Sequence, residues 1–184
     1  MRRRLYTIGH SRHSSEHLLG LLEASRVQRL VDVRRFPFSR RNPQFNRDRL
    51  AGDLRGCGIS YSHLEDLGGR RDPASAGGED NIAWRNPFLR SYADYAQTKP
   101  FRDALDALCR AAEKESCAIM CAEADWRQCH RQIVSDYLLA RDFDVQHILA
   151  DGAVEPAQIN PSAVVTEDGT LRYPLPGQQQ LRLI

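Results

Sequence analysis

Cys121, Cys129, His130 and Arg131 stand close together in the chain and offer two thiols, an imidazole and a guanidinium. A cysteine in the first turn of a helix ionises readily, because unpaired N–H groups and the helix dipole favour an anion there. Neighbouring His130 and Arg131 pull the same way. Cys129 therefore reads as a reactive thiolate or anion-binding helix start, or as a small buried residue packing a helix onto a sheet. Cys121 is the alternative nucleophile. Glu123 is either a general base beside the thiol or the ion partner that orients Arg131 or Arg34. His10 is a ligand or base, or a histidine hydrogen-bonded to a nearby loop.

Other chemistries fit the same residues less well. Cys121-x5-Arg127 matches the anion loop of cysteine phosphatases and rhodaneses, but Glu123 and Asp125 would set two negative charges against the bound anion. Zinc would find suitable donors in Cys121, Cys129 and His130 with either His10 or His63. The gap between the two cysteines is not a knuckle spacing, however, and adjacent helical residues point about 100° apart. No metal ligand is therefore assigned from the sequence, and the cofactor stays open. A Cys121–Cys129 disulfide also lacks a spacing signature.

A basic loop supplies the second feature. Arg34-Arg35-Phe36-Pro37-Phe38-Ser39-Arg40-Arg41 runs on to Phe45, Asn46, Arg47 and Arg49, with Asp48 its only acid. Arginine grips phosphate as a bidentate fork, and interleaved aromatics can stack on bases. For Phe36, Phe38 and Phe45 the expectation is burial as core anchors, since an exposed trio of phenylalanines is rare. Asp32 lies in an apolar strand, where it needs Arg34, Arg131 or a helix start as a partner.

These groups need elements to bring them together. Leu5–Ile8, Leu30–Val33, Ile59–His63, Ala118–Met120 and Val145–Leu149 read as short buried strands. Helical periodicity lies between them: after Ser14 or Ser15, over Asn46–Cys57, over Phe88–Gln97, from near Pro100, and from about Cys129. Such alternation predicts a three-layer, Rossmann-like α/β fold with a mostly parallel sheet. Ligands in such folds bind outside the carboxyl ends of the strands. Gly9-His10-Ser11, Arg34-Arg35, His63 and Cys121-Ala122-Glu123 all fall at those ends. Residues 1–150 are expected to form this domain. Residues 151–184 would be an extension, with a hairpin around Glu167-Asp168-Gly169 and a tail from Pro176.

Bulk composition excludes little. The 184 residues carry a net charge of +2, which identifies no partner. The five cysteines are odd in number, and Leu5–Ile8 is too short for an export signal, so a reducing cytosol is expected. No stretch reaches membrane-spanning length, and no membrane partner is expected.

Taken jointly, Thr7-Ile8-Gly9-His10-Ser11, Val31-Asp32-Val33-Arg34 with Ser39-Arg40, Gly58-Ile59-x-Tyr61 with Gly68-Gly69, and Cys121-x-Glu123 with Cys129-His130-Arg131 resemble the family called domain of unknown function 488. The resemblance covers roughly residues 5 to 150. It implies no activity, but it stresses the strand-end residues already singled out. The expected site then has Cys129, Cys121, Glu123 and His10 as reacting groups. Ser11, Asp32, Arg34, Ser39, Arg40, His130 and Arg131 would bind an anionic small molecule, a nucleotide or nucleic acid. A non-catalytic nucleic-acid module using residues 34–49, and a Cys/His metal protein, are the alternatives.

Overall fold

The computed structural model describes residues 3–72 and 78–175. Strand β1 (Arg4–Gly9) leads into α1 (Ser15–Ala24), which opens where Ser14 Oγ accepts from His17 N at 3.2 Å. Leu18, Leu21 and Leu22 form its buried face. Strand β2 (Arg29–Asp32) and α2 (Arg47–Gly56) follow, and Gly58, with φ near +71°, turns the chain into β3 (Ser60–His63). Asn46 holds the cap position of α2, yet its Oδ1 accepts from Ser39 N and pins the basic loop instead.

Helix α3 (Pro87–Ala96) starts on an Asn86 cap with proline at its first position, and α4 (Lys99–Ala112) also carries an early proline. Strand β4 (Cys117–Cys121), α5 (Arg131–Leu139), β5 (Asp144–Ile148) and β6 (Val154–Pro156) complete the main sheet. Its order is β3-β2-β4-β1-β5-β6, parallel throughout except for β6. Sequence periodicity did not mark β6, because its exposed Val154 and Pro156 show no apolar pattern.

The pleat sorts the strand side chains into two cores. Leu5, Val31, Val33 and Ile119 face α3, α4 and α5, whereas Ile8, Leu30, Ala118 and Met120 face α1 and α2. This is the three-layer arrangement that the strand–helix alternation predicts. Because α1 leaves the end of β1 on one face and α5 follows β4 on the other, the loops diverge between β1, β4 and β2. A crevice opens at that point. Among the described residues no helix is long and apolar enough to cross a membrane.

Beyond β6, β7 (Val164–Val165) and β8 (Leu171–Arg172) make the expected antiparallel hairpin. The tail from Pro176 lies outside the described residues. Leu171 and Tyr173 join the core beside α5, where Tyr173 OH donates to Asp136 Oδ2 at 3.0 Å. Asn160 N also donates to Asp136 Oδ1 at 2.8 Å.

Burial is the chief cause that raises the Asp136 carboxyl from 3.8 to about 7, with these two hydrogen bonds opposing it. A raised carboxyl binds its proton more tightly in the folded state. The fold is therefore favoured below the unfolded value and loses that contribution as pH climbs from about 4 to about 7. Asp136→Asn is expected to gain on the wild type by a few kcal/mol between pH 5 and pH 8. Denaturation midpoints at the two pH values measure this. Parallel losses in both proteins would refute the assignment.

Candidate functional site

The site grows from the ends of β1, β2 and β4. Gly9 pairs with Cys121 in register, and the ladder runs past the strands through His10 N to Cys121 O (2.9 Å) and Ser11 N to Ala122 O (3.0 Å). On the other side Val33 N donates to Met120 O at 3.0 Å. Residues 122–130 then fold back as a loop with a 3₁₀ turn at Trp126–Gln128, capped by Asp125. Cys129 is extended, with φ −120° and ψ 148°, and α5 begins only at Arg131. This corrects the expected helix start. Cys129 precedes the helix, and its N–H is already bonded to Trp126 O, so it supplies no open helix-end donor.

The same correction removes the argument that Cys129 and His130 diverge. Outside the helix, Cys129 is free of the 100° spacing, and its Sγ lies 3.5 Å from His130 Nδ1. Cys121 Sγ is 3.8 Å from the same nitrogen, and all three donor atoms lie within 4.8 Å of one another. His130 Nε2 sits 3.1 Å from Val33 O, a carbonyl that can only accept. Nε2 therefore carries a proton, and in the neutral ring the Nδ1 lone pair faces both sulfurs. Tyr92 packs edge-on against the ring at 5.0 Å, and Gly69 lies so close that an added Cβ would fall 2.1 Å from Nδ1. The imidazole is clamped.

Arg131 lies beneath this cluster and is 1% exposed. Its Nη2 donates to the Glu123 carbonyl at 2.6 Å, and its Nε points at Cys129 Sγ at 3.4 Å. Thr7 Oγ1 and Ala124 O complete its partners. Among the described residues no carboxylate pairs with it, so the sulfur is the nearest group able to balance its charge. Burial would raise the Cys129 thiol. The hydrogen bond from Cys121 and the Arg131 charge, joined by the charge and N–H of His130 only when its Nδ1 is also protonated, work against burial and lower it from its ordinary value. Cys121 moves the opposite way, pushed well up by its hydrogen bond to Cys129 and by burial.

Asp32 and Arg34 form a second buried unit, with side chains 0% and 6% exposed. Arg34 Nε and Nη2 both donate to the Asp32 carboxylate, and Tyr61 OH adds a donor at 2.8 Å. Burial alone would lower the Arg34 pKa, but Asp32 raises it above the ordinary value. Arg34 Nη1 lies 3.3 Å from His10 Nε2, while His10 Nδ1 lies 3.0 Å from Ser11 O. Burial first, and then the Arg34 charge, lower His10 to about 4, so its ring is neutral at pH 7. His10 packs against the buried Phe45, with ring centroids 4.2 Å apart and the planes tilted by 32°. His63 Nε2 faces Arg34 O at 2.7 Å. Neither histidine joins the cysteine cluster.

A cleft of about 560 Å³ opens over the cluster. Cys121, Cys129 and His130 line it, with Glu123 and Gln128 from the same loop and Arg34, Arg35 and Arg70 on its wall. Phe36, Phe38 and Phe88 also line it and are 57%, 66% and 57% exposed. The expected burial of all three loop phenylalanines therefore holds for Phe45 alone. Phe36 and Phe38 stand in solvent, with Arg35 over the Phe36 ring at 5.6 Å.

The sequence-predicted residues divide into three groups. Arg34, Cys121, Glu123, Cys129 and His130 line the cleft, and His10, Asp32 and Arg131 are buried next to it. Ser11, Ser39 and Arg40 lie outside its lining. Ser39 ties up the basic loop by accepting from Asn42 N, and Arg40 is exposed. The Glu123 side chain is exposed too, and Arg131 reaches its carbonyl rather than its carboxylate. Arg127 points away to Glu155, as rejection of the phosphatase-type loop requires.

Residues 14–138 match the sequence profile of the family described as Domain of unknown function DUF488. The chain belongs to that family. No curated protein and no solved structure matches it. The DUF488 span contains the whole cysteine cluster, the Asp32–Arg34 pair and the cleft wall, whereas Gly9, His10 and Ser11 precede it. Sequence reasoning missed Arg70 and Phe88 as lining groups. Arg70 sits where apolar periodicity is lost and Phe88 near the start of α3, and only the tertiary structure brings both to the cleft.

Proposed function

We propose that this DUF488 chain binds an anionic, phosphorylated ligand in the cleft, as a cysteine-dependent enzyme acting at Cys121, Cys129 and His130. One observation carries the reading: three convergent, buried, chemically active side chains form the floor of a cleft walled by three arginines. Arg35 and Arg70 would take the phosphate, since guanidinium forks match its oxygens. Arg34 has a different task. It is committed to Asp32 and holds the wall in place. A reducing cytosol suits this reading, because the free cysteines must stay unoxidised.

The test uses inorganic phosphate, a nucleoside 5′-monophosphate and a short single-stranded oligonucleotide as calorimetric probes. Arg35→Ala and Arg70→Ala should each weaken binding by about tenfold or more, as hydrogen bonds to charged groups are worth about 1.5–3 kcal/mol. Cys129→Ser should abolish any turnover. Binding equal in wild type and both arginine variants would remove the cleft as the site.

A second reading, a non-catalytic nucleic-acid module, draws support from the exposure of Phe36 and Phe38 beside exposed Arg40, Arg41, Arg47 and Arg49. It requires oligonucleotide affinity that falls steeply with salt and disappears when Arg40, Arg41 and Arg47 are neutralised together. Salt-insensitive binding would exclude it.

A further inference from the structure

We propose that Cys121, Cys129 and His130 hold one thiophilic divalent cation, zinc by the chemistry of the donors, with its fourth position open to the cleft. The inference deepens the cysteine-dependent reading above. It rests on the geometry of the three donors.

Zinc bound at about 2.3 Å to sulfur and about 2.0–2.1 Å to nitrogen sets tetrahedral S···N edges of about 3.6 Å. The two S···N separations here are 3.8 and 3.5 Å. Both S···N edges thus match those of a coordination tetrahedron, and the S···S edge is no longer than 4.8 Å. Two thiolates and one imidazole also form a donor set that suits zinc over harder cations.

The surroundings match what a ligating histidine needs. Its outer nitrogen is held by a backbone carbonyl, which fixes the tautomer that presents a lone pair inward. Tyr92 and Gly69 prevent the ring from swinging away. The Arg131 Nε–H aimed at Cys129 Sγ moderates the charge on that sulfur without displacing the cation. All three donors come from one strand end and the loop that follows, and all three line the cleft, so the vacant corner faces ligand.

Charge selects the occupant of that corner. A divalent cation with two thiolates is neutral, and the buried Arg131 then leaves one positive charge at the floor. An anion is the preferred fourth ligand, either hydroxide or an oxygen of the phosphorylated ligand. Metal entry displaces any proton remaining on the two sulfurs to solvent. No oxidation or reduction is involved.

The experiment has two parts. Elemental analysis of the purified chain should find about one equivalent of zinc. The chelator-stripped chain, kept anaerobic with a phosphine reductant, should take up one equivalent of Co²⁺. Sulfur-to-cobalt charge transfer and intense visible bands of a tetrahedral centre should develop together. Cys121→Ser and His130→Ala should each lower Co²⁺ affinity at least tenfold. Gly69→Ala, which keeps every donor but drives a methyl into the imidazole, should do the same. Zn²⁺ should shield Cys121 and Cys129 from alkylation while exposed Cys57 still reacts. Circular dichroism of each variant separates loss of the site from loss of the fold. Absence of Co²⁺ bands in the wild type, or affinity unmoved by Cys121→Ser and His130→Ala, overturns the metal site. Calorimetry of the same probes with the chelator-stripped chain tests anion binding separately, so either conclusion can fail alone.

Discussion

Gly9→Ala is expected to lower stability by about 3 kcal/mol or more, because the new methyl meets backbone that cannot move aside. A Cβ at residue 9 would lie 1.9 Å from the Glu123 carbonyl oxygen and 2.8 Å from its carbon. That carbonyl is no idle neighbour, since it accepts from Arg131 Nη2 at 2.6 Å. Relieving the clash means shifting the start of the 122–130 loop, and with it Arg131 and Cys129. Stability and the cysteine cluster should fail together. Gly20, inside α1, has nothing within 4 Å of its would-be Cβ. Gly20→Ala should raise stability by up to about 1 kcal/mol through helix propensity alone. Urea midpoints of the two variants provide the comparison. A Gly9→Ala protein as stable as wild type would show that the loop after β4 is not locked to β1.

Asp32→Ala is expected to be as severe, at about 3–5 kcal/mol, the usual result of leaving one half of a buried ion pair without its partner. Arg34 makes most of its side-chain hydrogen bonds to Asp32, and both side chains are almost wholly inaccessible. Without the carboxylate, the guanidinium retains only Phe45 O and His10 Nε2. Tyr61→Phe removes a single donor from the same carboxylate and should cost only about 1 kcal/mol. The contrast separates the charge from the hydrogen bond. Equal losses in the two variants would mean that Asp32 is held by packing rather than by its pairing with Arg34. Because Arg34 also lines the cleft, Asp32→Ala should further weaken binding of the phosphate probe in whatever fraction stays folded.

Short apolar runs and helical periods sufficed to determine the five parallel strands, the helices and their alternation, because burial on a pleated sheet or one helix face imposes a period on the chain. They also determined which residues stand at the strand ends, and so placed His10, Arg34 and Cys121 along one edge. Asp32 needed a cation, and two residues further on the sequence supplied it. Three decisions belonged to the tertiary structure. Cys129 leaves the helix and turns its sulfur toward His130, because the 3₁₀ turn at Trp126–Gln128 consumes the N–H that a helix start would have left free. Arg131 is met by a carbonyl of residue 123 and not by its carboxylate, because Gly9 lets that backbone come close. Phe36 and Phe38 stay exposed along the cleft while Phe45 goes under, packed against the His10 ring. Periodicity records which face of an element is buried. It does not record which distant loop arrives to face it, and that is where this site is made.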